Sequence, residues 1–152
     1  MKKLAMLMAV LALASVSAAW AADPPAVAAE KAQVEKAVRD YIDGWYEGSV
    51  ERMERALHPD LAKRSMVALP NGRVLVDSAS GSSMIELTRV GYGKKMAKPN
   101  QKNQVVVLDV FRDTASAKSI SPDYVDYIHL IKVGGQWRII NVLWSPREEM
   151  TP

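Results

Sequence analysis

The chain has 152 residues, a formal net charge of +3 and no cysteine, which excludes disulfides and thiolate metal sites. A cut after Ala21 removes Lys2 and Lys3 and leaves 131 residues, with Lys plus Arg falling from 20 to 18 against 17 Asp plus Glu. That near-balance excludes the strong basic field of a nucleic-acid binder, and the remaining length suits one domain with its own core.

The cut is expected because the head reads as a secretory signal peptide. Met1-Lys2-Lys3 is basic, Leu4 to about Ala14 is apolar, and Ala19-Trp20-Ala21 has the small-x-small pattern of a cleavage site. The apolar run is shorter than the roughly 20 residues a membrane span needs. The reading is residues 1–21 as signal peptide, 22–29 as a flexible mature terminus and 30–148 as one domain. Export without cysteine points to a bacterial periplasm, with no stable membrane anchor after cleavage.

Val34, Val38, Tyr41, Ile42 and Trp45 recur at helical spacing and predict an amphipathic helix from near Ala26 to Gly48. Ser49 can cap a second, short helix that buries Val50, Met53 and Leu57 and stops at His58-Pro59-Asp60. Leu61–Leu69 and Arg73–Val76 flank the turn Pro70-Asn71-Gly72. Ser83-Met84-Ile85-Glu86 matches a capping box and opens a third helix that ends at Gly91 or Gly93. Lys94 to Lys102 reads as a solvated basic loop. Its one nearby aromatic, Tyr92, is too little for nucleic-acid stacking. Val105–Phe111 and Ala115–Ile120 read as antiparallel strands joined near Arg112-Asp113.

The last two strands, Tyr124–Val133 and Gln136–Trp144, meet at Gly134-Gly135. A two-residue turn pairs Val133 with Gln136. Counting outward then pairs Lys132 with Trp137, Leu130 with Ile139, Ile128 with Asn141, Asp126 with Leu143 and Tyr124 with Ser145, all on one face. The other face is also largely apolar, so both faces are expected to be covered, one by the helices and one by a second subunit. Parity leaves open which is which. Helices followed by strands predict an α+β fold in which a curved, mostly antiparallel sheet wraps its own helices and encloses a pocket.

The chain resembles the nuclear transport factor two-like superfamily, and within it the putative lumazine-binding small proteins. The resemblance rests on Val34–Trp45, Leu57-His58-Pro59-Asp60 with Lys63-Arg64, Asp109-Val110, and Ala115-Ser116-Ala117. It continues through Tyr127–Val133 and Gly135–Trp144. It implies a cone-shaped domain, a homodimer and a pocket at the wide end of the cone. Enzymes of this superfamily, such as dehydratases, ketosteroid isomerases and epoxide hydrolases, place Asp, His and Tyr there.

No metal or cofactor is expected. His58 and His129 are distant in sequence, and there is no His-Glu-x-x-His or calcium loop. No Gly-x-Ser-x-Gly elbow marks a serine nucleophile. Asp126 stands mid-strand among apolar neighbours and is the conditional catalytic base, with Tyr124 and Asn141 as hydrogen-bond donors on its face. Tyr41 and Trp45 would roof the pocket, and Arg64 could hold an anion. His58 enters through the resemblance. The expected ligand-binding set is therefore Tyr41, Trp45, His58, Arg64, Tyr124, Asp126 and Asn141. The favoured function is a secreted small-molecule-binding domain, homodimeric through its sheet, with an apolar pocket. The alternatives are a cofactor-free lyase or isomerase using Asp126, and a structural dimeric subunit whose pocket is filled by its own side chains.

Overall fold

A computed structural model describes residues 23–147, so the expected signal peptide lies outside the described residues. Helix α1 runs Pro25–Glu47 and α2 Val50–Ala56, followed by strands β1 Leu57–Ala68 and β2 Val74–Ser80. Then come α3 Gly81–Arg89, α4 Tyr92–Met96, β3 Gln104–Phe111, β4 Thr114–Ile120, β5 Tyr124–Val133 and β6 Gln136–Pro146. The six strands form one sheet in the order β2-β1-β6-β5-β4-β3. Only the β1–β6 pair is parallel, and it stitches the two halves of the chain together. The α+β expectation, helices on a curved and mostly antiparallel sheet, is met.

The helix α1 begins at Pro25, one residue before the expected start near Ala26. Proline suits the first helical turn because its missing N–H would have no partner there. Gly48 ends α1 in the left-handed region at φ 72°, a conformation that favours glycine. Val34, Val38, Tyr41, Ile42 and Trp45 are all buried, and they pack against Ile128, Leu130, Trp137, Ile139 and Val142 of the sheet. Ser49 caps α2 by accepting from the Arg52 N–H. Arg52 then donates to Asp40, Asp43 and Glu47 and ties α2 back onto α1.

Three helix boundaries differ from expectation. α2 ends at Ala56, and Leu57-His58-Pro59-Asp60, expected to close it, open strand β1 instead. The capping box uses Ser80 and Ser83, so α3 starts at Gly81 rather than after Ser83. Three serines within four positions made the cap ambiguous in sequence. Gly91, at φ 71°, turns the chain out of α3 and directly into α4, so Lys94 and Lys95 are helical rather than part of a loop. Gly93 of α4 packs so tightly on α1 that an added Cβ would stand 2.5 Å from the Trp45 carbonyl oxygen.

The hairpin register holds from Val133–Gln136 to Leu130–Ile139 and then shifts. His129 pairs with Asn141, Ile128 with Val142 and Asp126 with Trp144, leaving Ile140 as a bulged residue. One extra residue reverses the parity of the rest of β6. Val142 and Trp144 therefore face the helices, while Asn141 and Leu143 face outward. This corrects the expected pairing of Ile128 with Asn141, Asp126 with Leu143 and Tyr124 with Ser145. The inner face is settled as well: Asp126, Ile128 and Leu130 are buried, whereas Tyr127 and Leu143 on the outer face are 51% and 54% exposed.

Candidate functional site

A cavity of about 260 Å³, open on one side to solvent, lies between α1 and the sheet and is lined also by β2, α3 and α4. The inward stripe of α1 supplies Tyr41, Ile42 and Trp45, three residues at helical spacing. β5 supplies Tyr124 and Asp126, and β6 supplies Trp144 through the bulge. Met84, Leu87 and Tyr92 close the side away from the sheet. β1 supplies Lys63, which shares an inward-pointing parity with buried Leu61 and Ser65. Asp77 of exposed β2 stands at the rim.

The polar centre is a closed network around Asp126, which is 1% exposed. The Lys63 Nζ donates to Asp126 Oδ1 at 2.7 Å and to the Tyr41 hydroxyl at 2.7 Å. The Tyr41 hydroxyl in turn donates to Asp126 Oδ1 at 3.2 Å. On the far side, Ser119 Oγ donates to Asp126 Oδ2 at 2.9 Å. A buried carboxylate with one cation and two hydroxyls is paired as such groups must be. The ammonium also sits 5.4 Å from the Tyr41 ring centre and 5.0 Å from that of Trp144, within cation–π range.

These contacts set the titration of the cavity. Burial pushes the Lys63 ammonium below its ordinary pKa, and the charge of Asp126 only partly offsets it. Burial and the neighbouring Asp126 charge hold the Tyr41 phenol protonated well above its usual range. Tyr124 is pushed up to about 12, mainly by burial and then by the Asp123 charge. Both phenols are therefore neutral hydroxyls at neutral pH. The Tyr124 hydroxyl donates to the Met96 Sδ at 3.3 Å, and its ring meets Trp144 edge-on at 5.0 Å.

Four of the expected site residues, Tyr41, Trp45, Tyr124 and Asp126, meet in this cavity. The other three lie elsewhere. Asn141 is turned outward by the bulge; its Oδ1 accepts from Arg64 Nη1 at 3.3 Å and its amide meets His129 Nδ1 at 3.2 Å. Arg64 follows inward-facing Lys63 and so points outward with Asn141. His58 stands at the start of β1, where its Nδ1 accepts the backbone N–H of Asp60. Lys63 was missed as a site residue, although the alternation Leu61, Lys63, Ser65 is a legible inward stripe. Among the described residues, no group of three His, Cys, Asp or Glu side chains is placed to hold a metal.

A model of the family described as "Putative lumazine-binding" matches residues 29–145. The chain belongs to that family. The matched stretch includes every residue that lines the cavity, from Tyr41 to Trp144. No curated protein matches the chain. Among solved structures, an NTF2-like protein of unknown function from Shewanella baltica is 14% identical, with a TM-score of 0.66, over 80% of this chain and 97% of that one. An NTF-2 like protein of unknown function from Silicibacter pomeroyi is 16% identical, TM-score 0.60, over 79% and 98%. A ketosteroid isomerase-like protein from Erwinia carotovora atroseptica is 14% identical, TM-score 0.55, over 81% and 98%. At such identities the likeness shows the fold, that of nuclear transport factor two-like proteins, and carries no activity across.

Proposed function

We propose that the protein is an exported, periplasmic, homodimeric module that binds a small organic molecule in the Lys63–Asp126 cavity without transforming it. The observation that carries this reading is the pairing of Asp126. Three of the roughly four acceptor positions of the carboxylate are already engaged, two on Oδ1 by Lys63 and Tyr41 and one on Oδ2 by Ser119. A general base needs a lone pair directed at its substrate. The lyase or isomerase reading loses support on that ground. The filled-pocket reading loses support because about 260 Å³ stays open despite Trp45, Met84 and Trp144 in the wall. A family description that names a small ligand supports binding as well.

The basic head and the small-x-small site support export. Outward-facing Tyr127 and Leu143 support a dimer formed through the sheet, since exposed apolar faces of this kind mark association surfaces.

Native mass spectrometry of protein taken from its own periplasm tests the reading. The expected result is a dimer whose subunits each retain a small molecule that returns unchanged on release. Chemical conversion of the released molecule during incubation would favour the enzyme. An unliganded dimer that takes up nothing from a concentrated small-molecule extract would favour the structural subunit.

A further inference from the structure

Resting on the binding reading, we propose that Lys63 is a covalent attachment point, whose amine forms a reversible imine with an aliphatic aldehyde held in the cavity. Place is the first ground. The Lys63 side chain is 11% exposed and lines the cavity, and no other lysine among the described residues does so. A cation needed only to neutralise Asp126 could be sealed in the core, whereas this one borders open space. Residue type is the second. Arginine, with its fixed fork of donors, suits a purely structural partner of a buried carboxylate. Lysine can give up its proton when buried and then attack a carbonyl carbon.

The groups around the nitrogen supply the proton transfers. Asp126 Oδ1 stands 2.7 Å from Nζ, and the neutral Tyr41 hydroxyl holds Nζ from 2.7 Å. The ammonium passes one proton to Asp126, which frees the nitrogen lone pair. That pair forms a C–N bond with the aldehyde carbon, and the carbonyl π electrons move to oxygen. A proton then shifts from nitrogen to that oxygen and gives a carbinolamine. Asp126 returns its proton to the hydroxyl as the C–O bond breaks, water leaves, and the nitrogen pair closes the C=N bond. The sum is ammonium plus aldehyde giving iminium plus water, with nothing oxidised or reduced. Charge is conserved, so the iminium keeps Asp126 as its counter-ion and the Tyr41 and Trp144 rings, 5.4 and 5.0 Å from Nζ, as cation–π neighbours. Burial, which holds the Lys63 pKa below its ordinary value, favours the first transfer. Hydrolysis runs the same steps backward and returns the aldehyde unchanged. The walls set the rest of the molecule. Ile42, Trp45, Met84 and Leu87 are apolar, and an aldehyde carbon, with one hydrogen, leaves room for a buried nitrogen. A cavity of about 150 Å³ accepts one benzene ring, so about 260 Å³ suits a chain of about seven carbons.

Heptanal and heptanol, which share a chain and differ in the carbonyl, test this on the mature protein at neutral pH. Cyanoborohydride traps any imine as a stable heptyl amine, and peptide mapping by mass spectrometry over time gives the rate at each lysine. Lys63 is expected to gain its heptyl group at least about tenfold faster than any other lysine, because the aldehyde is held beside it. Heptanol, which binds without reacting, should slow that labelling, and without cyanoborohydride dilution should release heptanal unchanged. Calorimetry reads heptanol binding separately. Heptanol binding while Lys63 is labelled no faster than the exposed lysines would overturn the proposal and leave the binding reading intact. No heptanol binding at millimolar concentration, together with no preference for Lys63, would remove the binding reading for ligands of this size, and the proposal with it. Lys63→Arg keeps a cation beside Asp126 but forms no imine under these conditions. It should lose the fast label and still bind heptanol within about threefold of wild type. A fast label that survives in K63R would overturn the assignment. If K63R fails to fold, the site-resolved rates of the wild type decide the matter.

Discussion

Replacing Asp126 with Ala removes the carboxylate that matches Lys63 and also accepts from Tyr41 and Ser119. Were Asp126 an unpaired buried acid, its loss would stabilise the protein. The structure reverses that sign, because the change leaves an ammonium whose side chain is 11% exposed without its counter-charge. Breaking a buried pair from one side costs about 3–5 kcal/mol. An independent ceiling comes from titration. Lys63 can instead shed its proton, which from an ordinary value of 10.5 costs about 5 kcal/mol at pH 7. The two estimates agree, so D126A should lose about 3–5 kcal/mol in urea unfolding at pH 7.

The sign of the pH dependence follows. The folded Lys63 pKa lies below its unfolded value, so in that window the unfolded chain holds more protons and stability rises with pH. The penalty is fully present below the folded pKa and is relieved as pH climbs toward 10.5. The gap between D126A and wild type should therefore narrow between pH 7 and 9.5. A loss under about 1 kcal/mol at pH 7, or a gap that widens with pH, would refute the buried-pair reasoning.

Three further outcomes are expected. Gly93→Ala drives a methyl group against the Trp45 ring and carbonyl, and should lower stability by about 1–3 kcal/mol in thermal unfolding while weakening ligand uptake. A Y127E/L143E variant puts charge on the outward sheet face; light scattering should give about twice the chain mass for wild type and one chain mass for the variant. N-terminal sequencing of protein from the periplasm should begin at Ala22 or within a few residues of it.

Much of the fold was legible because its signals are local. The α1 stripe, the Ser49 cap, the Asn71-Gly72 turn and the Gly134-Gly135 hairpin each depend on neighbours in sequence. The bulge was not legible, since Ile140 carries no glycine or proline to announce it, and everything beyond it on β6 was assigned to the wrong face. Asn141 entered the expected site for that reason, and Trp144 stayed out. Lys63 shows the other limit. Its inward parity can be read from Leu61 and Ser65, but its partner Asp126 is 63 residues away, on a strand two places over in the sheet. Pairing at that distance comes from topology, which the turn and cap signals of this chain do not encode.

The single parallel pair has a kinetic consequence. β1 gains its second neighbour only when β6 arrives, matching Leu57 with Ile139 and Arg64 with Leu143. Until the last strand docks, one side of β1 is an open edge carrying unpaired amides and carbonyls. That seam joins Leu57 to Ile139 across most of the domain's sequence, a non-local contact whose loop-closure entropy must be met before it forms and which slows folding. A chain shortened before β6 would lose Trp137, Ile139 and Val142 from the core and Trp144 from the cavity wall and leave β1 an open edge, a species prone to pairing with its own kind.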